Sequence, residues 1–263
     1  MPGRHYLIED RYVGGTERLP AAAAELARLR VDVILTYGTP AARAAQRATQ
    51  TIPVIFNVGA DPVKEGLVTS YARPGGNLTG LTMGPDELYD KRVQLLKEAV
   101  PGASRIGFLW DATYSAPPPT WDPARYLGLQ GVYLPVKTAG DFAGAFDAAA
   151  RGRVRALIMD DTSLITRHYA EIAELALKSR LPAIAHERQF AVAGLLMTYG
   201  VNGASLERRR AALVDRILRG TRPADLPVEQ PTVYDLVVNL RTAGTLGLTI
   251  PDAILLRATE GIR

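Results

Sequence analysis

The 263-residue chain contains no cysteine. That excludes disulfides, thiolate nucleophiles and Cys-based zinc sites, but does not fix the compartment. Histidine is scarce: His5, His168 and His186 stand in no metal-ligand spacing. No apolar run approaches the roughly 20 residues of a membrane helix, so no direct membrane insertion is expected. The opening "MPGRHYLIEDRY" lacks an apolar h-region, so it reads as no secretory signal, and the chain as written is expected to stay in the cytoplasm. There is no G-x-S-x-G elbow. "ARPGGNLTG" has the spacing of neither a phosphate loop nor a dinucleotide fingerprint, and Asp160-Asp161 is followed by no glycine-rich cation loop. No cofactor or metal is expected. A net charge of +4, with basic residues spread out and not interleaved with aromatics, gives no reason to expect nucleic acid.

What is present is an apolar content of 47%, enough for a sizeable core. Apolar runs alternate with helical patterns. Strands are expected at 5–9, 31–37, 53–58, 78–83, 105–110, 132–136, 154–159, 183–185, 195–198 and 233–239. Helices are expected at 17–30, 40–49, 62–72, 86–100, 141–151, 166–179 and 204–219. That order implies an α/β fold, with parallel sheets covered by helices on both faces. So many strands in this length fit two sheets better than one. "VPGAS" at 100–104 and "TRPADLPVEQP" at 221–231 read as joints. The lobes are expected at 1–102 with 200–225, and at 103–199 with 226–263. The proline-rich "YSAPPPTWDP" at 114–123 cannot be helix. "LERRRAALVDRILRG" reads as an amphipathic helix with a solvated basic face.

Two strand ends share one device. "VDVILTYGTP" runs from a buried strand into Gly38, with Thr39 as helix cap and Pro40 at the first helical position. "PVIFNVGADP" repeats it, with Asp61 as cap and Pro62 behind it. Helix N-termini at the carboxyl ends of parallel strands favour anions, and ligands of open α/β sheets bind at that edge. Either these are ordinary capped turns, or Gly38 and Thr39 offer N–H groups and a hydroxyl to a polar ligand, with Asn57 and Asp61 beside them.

Long blocks of the sequence carry a resemblance: Arg18–Thr82, beginning "RLPAAAAELARLRVDVILTYGTP"; Lys91–Asp111, "KRVQLLKEAVPGASRIGFLWD"; Gly194–Asn202, "GLLMTYGVN"; and Gly220–Pro251, beginning "GTRPADLPVEQPTVYDLVVNL". The chain resembles the substrate-binding proteins of ABC transporters, tryptophan/tyrosine type. The resemblance implies a two-lobed class I periplasmic-binding-protein fold and a small-molecule ligand held between the lobes, an amino acid or an aromatic compound. It also implies delivery to an ABC permease, a periplasmic or extracytoplasmic location, and no enzymatic chemistry. Set against the family pattern, the resemblance leads to the expectation that the chain as written lacks an N-terminal strand-helix unit, and the segment 111–131 is shorter and broken by prolines.

On that fold the second lobe offers Trp110, Asp111, Asp160, Glu187 and Tyr199 at or near strand ends. A carboxylate there suits a ligand ammonium; Asp160 is the first choice and Glu187 the second, with N-capping as the alternative role for both. Trp110 and Tyr199 suit stacking on the ligand, or plain packing. The competing expectation is a cytoplasmic α/β enzyme or ligand sensor acting on a small anionic molecule.

Overall fold

The computed structural model describes residues 7–13, 15–83, 85–113 and 128–263. Two expected features fall wholly or partly outside them: the start of the 5–9 strand, whose described residues 7–9 are not strand, and the proline-rich segment. The chain forms two compact units, Met1–Pro85 with Gly203–Thr232, and Asp86–Asn202 with Val233–Arg263.

Unit 1 is built on three parallel strands, β1 (Ile34–Tyr37), β2 (Val54–Val58) and β3 (Leu78–Thr82), in that spatial order. Helices α1 (Leu19–Arg28), α2 (Thr39–Ala48) and α8 (Gly203–Leu218) accompany them. The core joins Ile34, Val54, Phe56, Val58 and Leu78 of the strands to Ala42 and Ala45 of α2. Burying each larger apolar side chain contributes about 1.5–3 kcal/mol. Beside β3, Thr82 N–H donates to Glu229 O and Glu229 N–H to Gly80 O, so the returning segment extends the ladder.

Unit 2 holds seven strands: β4 (Arg105–Asp111), β5 (Gln130–Val136), β6 (Ala156–Met159), β7 (Ala183–Ala185), β8 (Met197–Val201), β9 (Tyr234–Asn239) and β10 (Glu260–Ile262). Their order is β10-β9-β8-β7-β6-β4-β5, parallel throughout except for the β8–β9 pair. Alternate strand residues point to opposite faces. Ile106, Phe108 and Ile158 meet Val93 and Leu96 of α3 (Pro85–Ala99) and Ile254 of α10 (Asp252–Leu255). Leu109, Leu157 and Met159 meet Phe142 and Phe146 of α4 (Phe142–Arg151), Ile172 of α6 (Tyr169–Lys178) and Phe190 of α7 (Arg188–Val192). Two short helices, α5 (Ser163–Arg167) and α9 (Leu240–Leu246), complete the unit.

The expected alternation of strand and helix is realised, with local departures. The units divide at Pro85/Asp86, Asn202/Gly203 and Thr232/Val233, not at 102, 199 and 225; the first boundary moves because α3 packs its apolar stripe on the second sheet. The helix expected at 62–72 is a single turn. Pro62 O accepts from Leu67 N–H, and Gly66, at φ 67°, leaves helical space. β8 begins two residues later than expected, at Met197. Helices α7, α9 and α10 and strand β10 were not expected from the sequence.

Candidate functional site

The carboxyl ends of β4, β6 and β7 share one edge of the unit 2 sheet, as parallel neighbours must. β6 ends at Met159, so the next two residues, Asp160 and Asp161, project from that edge. Their environments differ. Asp160 Oδ1 accepts from the Tyr89 hydroxyl at 2.8 Å and from Asp161 N–H at 2.9 Å, and Oδ2 from Asp111 N–H at 3.3 Å. No cation pairs with it among the described residues. Burial pushes its carboxyl up to about 6, with the Asp161 charge adding to the shift.

Asp161 is neutralised. Arg92, fully buried, donates Nη1 and Nη2 to its two oxygens at 2.7 and 2.9 Å, and Nε to Tyr199 O at 2.8 Å. His186 Nδ1 lies 3.1 Å from Asp161 Oδ1, too poorly aligned for a hydrogen bond, while Nε2 contacts the Thr166 hydroxyl at 3.0 Å. Burial opposes ionisation of Asp161, but Arg92 and then His186 outweigh it and hold the carboxyl well below its usual range. Burial and both aspartates raise the Tyr89 hydroxyl well above its ordinary value, so it stays a donor. Two buried donors at this edge lack partners among the described residues: Trp110 Nε1 and Thr162 Oγ1. Among the described residues the edge therefore offers one carboxylate without a cation and two spare donors, the complement of a small cationic or zwitterionic solute.

The sequence-predicted residues distribute as follows. Asp160 and Trp110 lie in this cluster. Asp111 is buried and spends Oδ1 on Thr113, on N–H at 2.9 Å and on the hydroxyl at 2.6 Å. Asp160 caps no helix, since the N-cap of α5 is Thr162. Glu187 stands at the N-cap of α7 without capping it; half-exposed, it accepts from Gln189 at 2.7 Å. Tyr199 stacks on Tyr234, centroids 5.8 Å apart, beside a groove of ≈ 270 Å³ that is lined also by Lys91, Leu95, Leu236 and Arg257.

In unit 1, Gly38, not Thr39, is the N-cap of α2, and the Thr39 hydroxyl makes no cap bond. The reason is geometric: helical conformation already begins at Thr39, and Gly38 supplies the turn at φ 82°. Nor is the Gly38 N–H on offer, because it donates to Asn57 O at 2.8 Å. Asp61 accepts from Val63 and Lys64 N–H at 2.9 and 3.3 Å, the capping role, over a turn and not a helix. Asn57 Oδ1 and Thr36 Oγ1 are buried without partners among the described residues.

Sequence reasoning missed Tyr89 and Arg92, which reach Asp160 and Asp161 from α3 across 71 and 69 positions. Their signal was spacing. Leu88, Arg92, Leu95 and Ala99 fall on one helix face, so Arg92 interrupts an apolar stripe.

Three comparisons bear on this geometry. The family model for ABC transporter substrate-binding proteins matches residues 13–262. A tyrosine-binding protein of Clostridioides difficile is 28% identical over 222 residues, 82% of this chain and 63% of that protein, so the chain spans less than two thirds of the curated relative it matches. Among solved structures, a conserved domain protein of Vibrio cholerae is 25% identical, with a TM-score of 0.82 over 94% of this chain and 84% of that one. A Streptococcus pneumoniae ABC domain in complex with L-Trp is 23% identical, with a TM-score of 0.80 over 94% and 86%. The fold is the class I periplasmic-binding-protein type, as expected. On the match from residue 13 to residue 262, the chain belongs to the ABC transporter substrate-binding protein family.

Proposed function

We propose that the chain is the solute-binding component of an ABC uptake system and that its ligand is an amino acid, whose ammonium is received by Asp160. The carrying observation is the contrast between neighbouring carboxylates. Asp161 has its own buried arginine, whereas Asp160 has three neutral donors and no cation among the described residues. Asp160 is half-buried; a carboxylate partly withdrawn from water without a cation is costly, and an arriving ammonium relieves that cost. Trp110, whose indole N–H has no partner among the described residues, lies one strand away and suits an aromatic side chain. The printed names of the relatives, a tyrosine-binding protein and an L-Trp complex, agree with this ligand class. On this reading the chain works outside the cytoplasm, hands its solute to a permease, and does no chemistry on it. Among the described residues no helix is long and apolar enough to cross a membrane.

The test is a thermal-shift panel of amino acids, aromatic acids, purines and sugars. A ligand at about one hundred times its dissociation constant stabilises the native state by roughly 2.7 kcal/mol. Stabilisation by amino acids supports the reading. Stabilisation confined to sugars or purines rejects it.

A further inference from the structure

Unit 1 buries a second arginine, and among the described residues this one has no matching set of acceptors. Arg210 sits on α8 at the spacing of Leu206, Leu213 and Ile217, all buried, and is itself only 3% exposed. Nη2 donates to Glu207 Oε1 at 2.8 Å, but Nε is buried with no partner among the described residues. Glu207 compensates poorly, since more than half of its side chain is exposed. Burial lowers the Arg210 pKa and raises that of Glu207, opposite to what a tight ion pair gives.

The guanidinium carbon lies 4.1 Å from the centroid of the Tyr37 ring. Stacking occupies the flat face of the guanidinium and leaves the N–H groups in its plane for an acceptor. Tyr37 ends β1 and pairs in register with Asn57 of β2, whose Oδ1 is the neighbouring orphan. Tyr37 is 62% exposed, so its ring can swing aside and open the guanidinium to a solute. An orphaned buried donor thus lies against an exposed aromatic ring at this end of the sheet, while the Asn57 Oδ1, an acceptor, takes no part in holding an anion.

We propose that Arg210, stacked on Tyr37, anchors a binding site in unit 1 for a small organic carboxylate. One monoanion balances the one under-compensated cation, and a carboxylate matches the guanidinium fork. The site goes beyond the Asp160 reading and does not rest on it, because no residue of unit 2 enters the argument.

The test uses the whole chain and sodium benzoate as probe, with sodium chloride matching ionic strength. The Arg210 Nε–Hε resonance, assigned by its loss in Arg210→Lys, is followed during titration, together with Tm. Benzoate is expected to move the resonance saturably and to raise Tm beyond the chloride control. Arg210→Met keeps much of the packing and removes the buried charge. Its Tm without probe should equal or exceed that of the wild type, and its benzoate response should vanish. A structural arginine would show the reverse, a lower Tm in Arg210→Met and no effect of benzoate. Three results overturn the proposal: no movement of the wild-type resonance, an equal benzoate response in Arg210→Met, or movement by phosphate where benzoate gives none. If Arg210→Met does not fold, the wild-type titration alone decides.

Discussion

Replacing Asp160 by Asn removes an ionisable group whose burial is costly, and the cost has a defined dependence on pH. The Asp160 carboxyl rises from 3.8 to about 6 on folding. A group whose folded pKa lies above its unfolded value binds more protons when folded between those two values. Stability is therefore lost as pH rises from about 4 through 6. A shift of roughly two units corresponds to about 3 kcal/mol. Asp161 works in the opposite sense: its folded pKa is lowered, so its contribution is present above about pH 4 and lost below. Above pH 5 Asp161 is ionised in both states and adds no slope, which isolates Asp160. Asn retains the acceptor for the Tyr89 hydroxyl and Asp161 N–H and cannot ionise. Trp110 lies on β4 of unit 2, so urea unfolding followed by its fluorescence reports on that unit. Between pH 5 and 7 the wild type should lose stability relative to Asp160→Asn by about 1 kcal/mol, the part of the full shift that falls in that window. Parallel pH profiles for the two proteins would show that Asp160 is not held in a costly charged form, and the argument for a cationic ligand group would fall with it.

Other perturbations have distinct signatures. Arg92→Met leaves the half-buried Asp161 carboxylate without its cation and should cost about 1–3 kcal/mol in urea unfolding, largely recovered in the Arg92→Met/Asp161→Asn double variant. Thr39→Val removes a hydroxyl that caps nothing, so its Tm should stay within the change expected of about 0.5 kcal/mol; a fall worth 1 kcal/mol or more would restore the capping role. Gly200→Ala places a Cβ 2.0 Å from His186 O, a backbone atom that cannot yield. It should separate β8 from β7 and destabilise by about 3 kcal/mol or more, measured as a lowered urea midpoint.

Much of this molecule is legible from sequence, and the illegible parts have physical reasons. Strands β2, β4 and β6 are apolar runs covered on both faces, and such runs are readable without tertiary information. Strand β10, "EGI" at an edge, carries no such pattern. The turn after Asp61 has a cap and a proline, which look like a helix start, but Gly66 halts it after one turn. Asp160 is readable as a strand-end carboxylate, because its role depends on local position. What makes it differ from Asp161 is not readable, because Tyr89 and Arg92 come from another helix. The run "RRR" at 208–210 reads as a solvated face, yet its third arginine falls in the buried stripe with Leu206 and Leu213. In both helices the overlooked clue is a charge at an apolar position of the 3.6-residue period.

The central claim, that the chain captures an amino acid through its ammonium, is tested most directly by calorimetric titration of the wild type. L-tyrosine and L-tryptophan are compared with their N-acetyl derivatives at pH 5 and pH 8. Acetylation removes the ammonium and leaves the side chain and carboxylate. The account predicts binding of the free amino acids, tighter at pH 8 than at pH 5 as Asp160 ionises, and a loss of roughly 10- to 100-fold or more on acetylation, the effect of one charged hydrogen bond. Equal affinity for free and acetylated forms, with no dependence on pH, would contradict it.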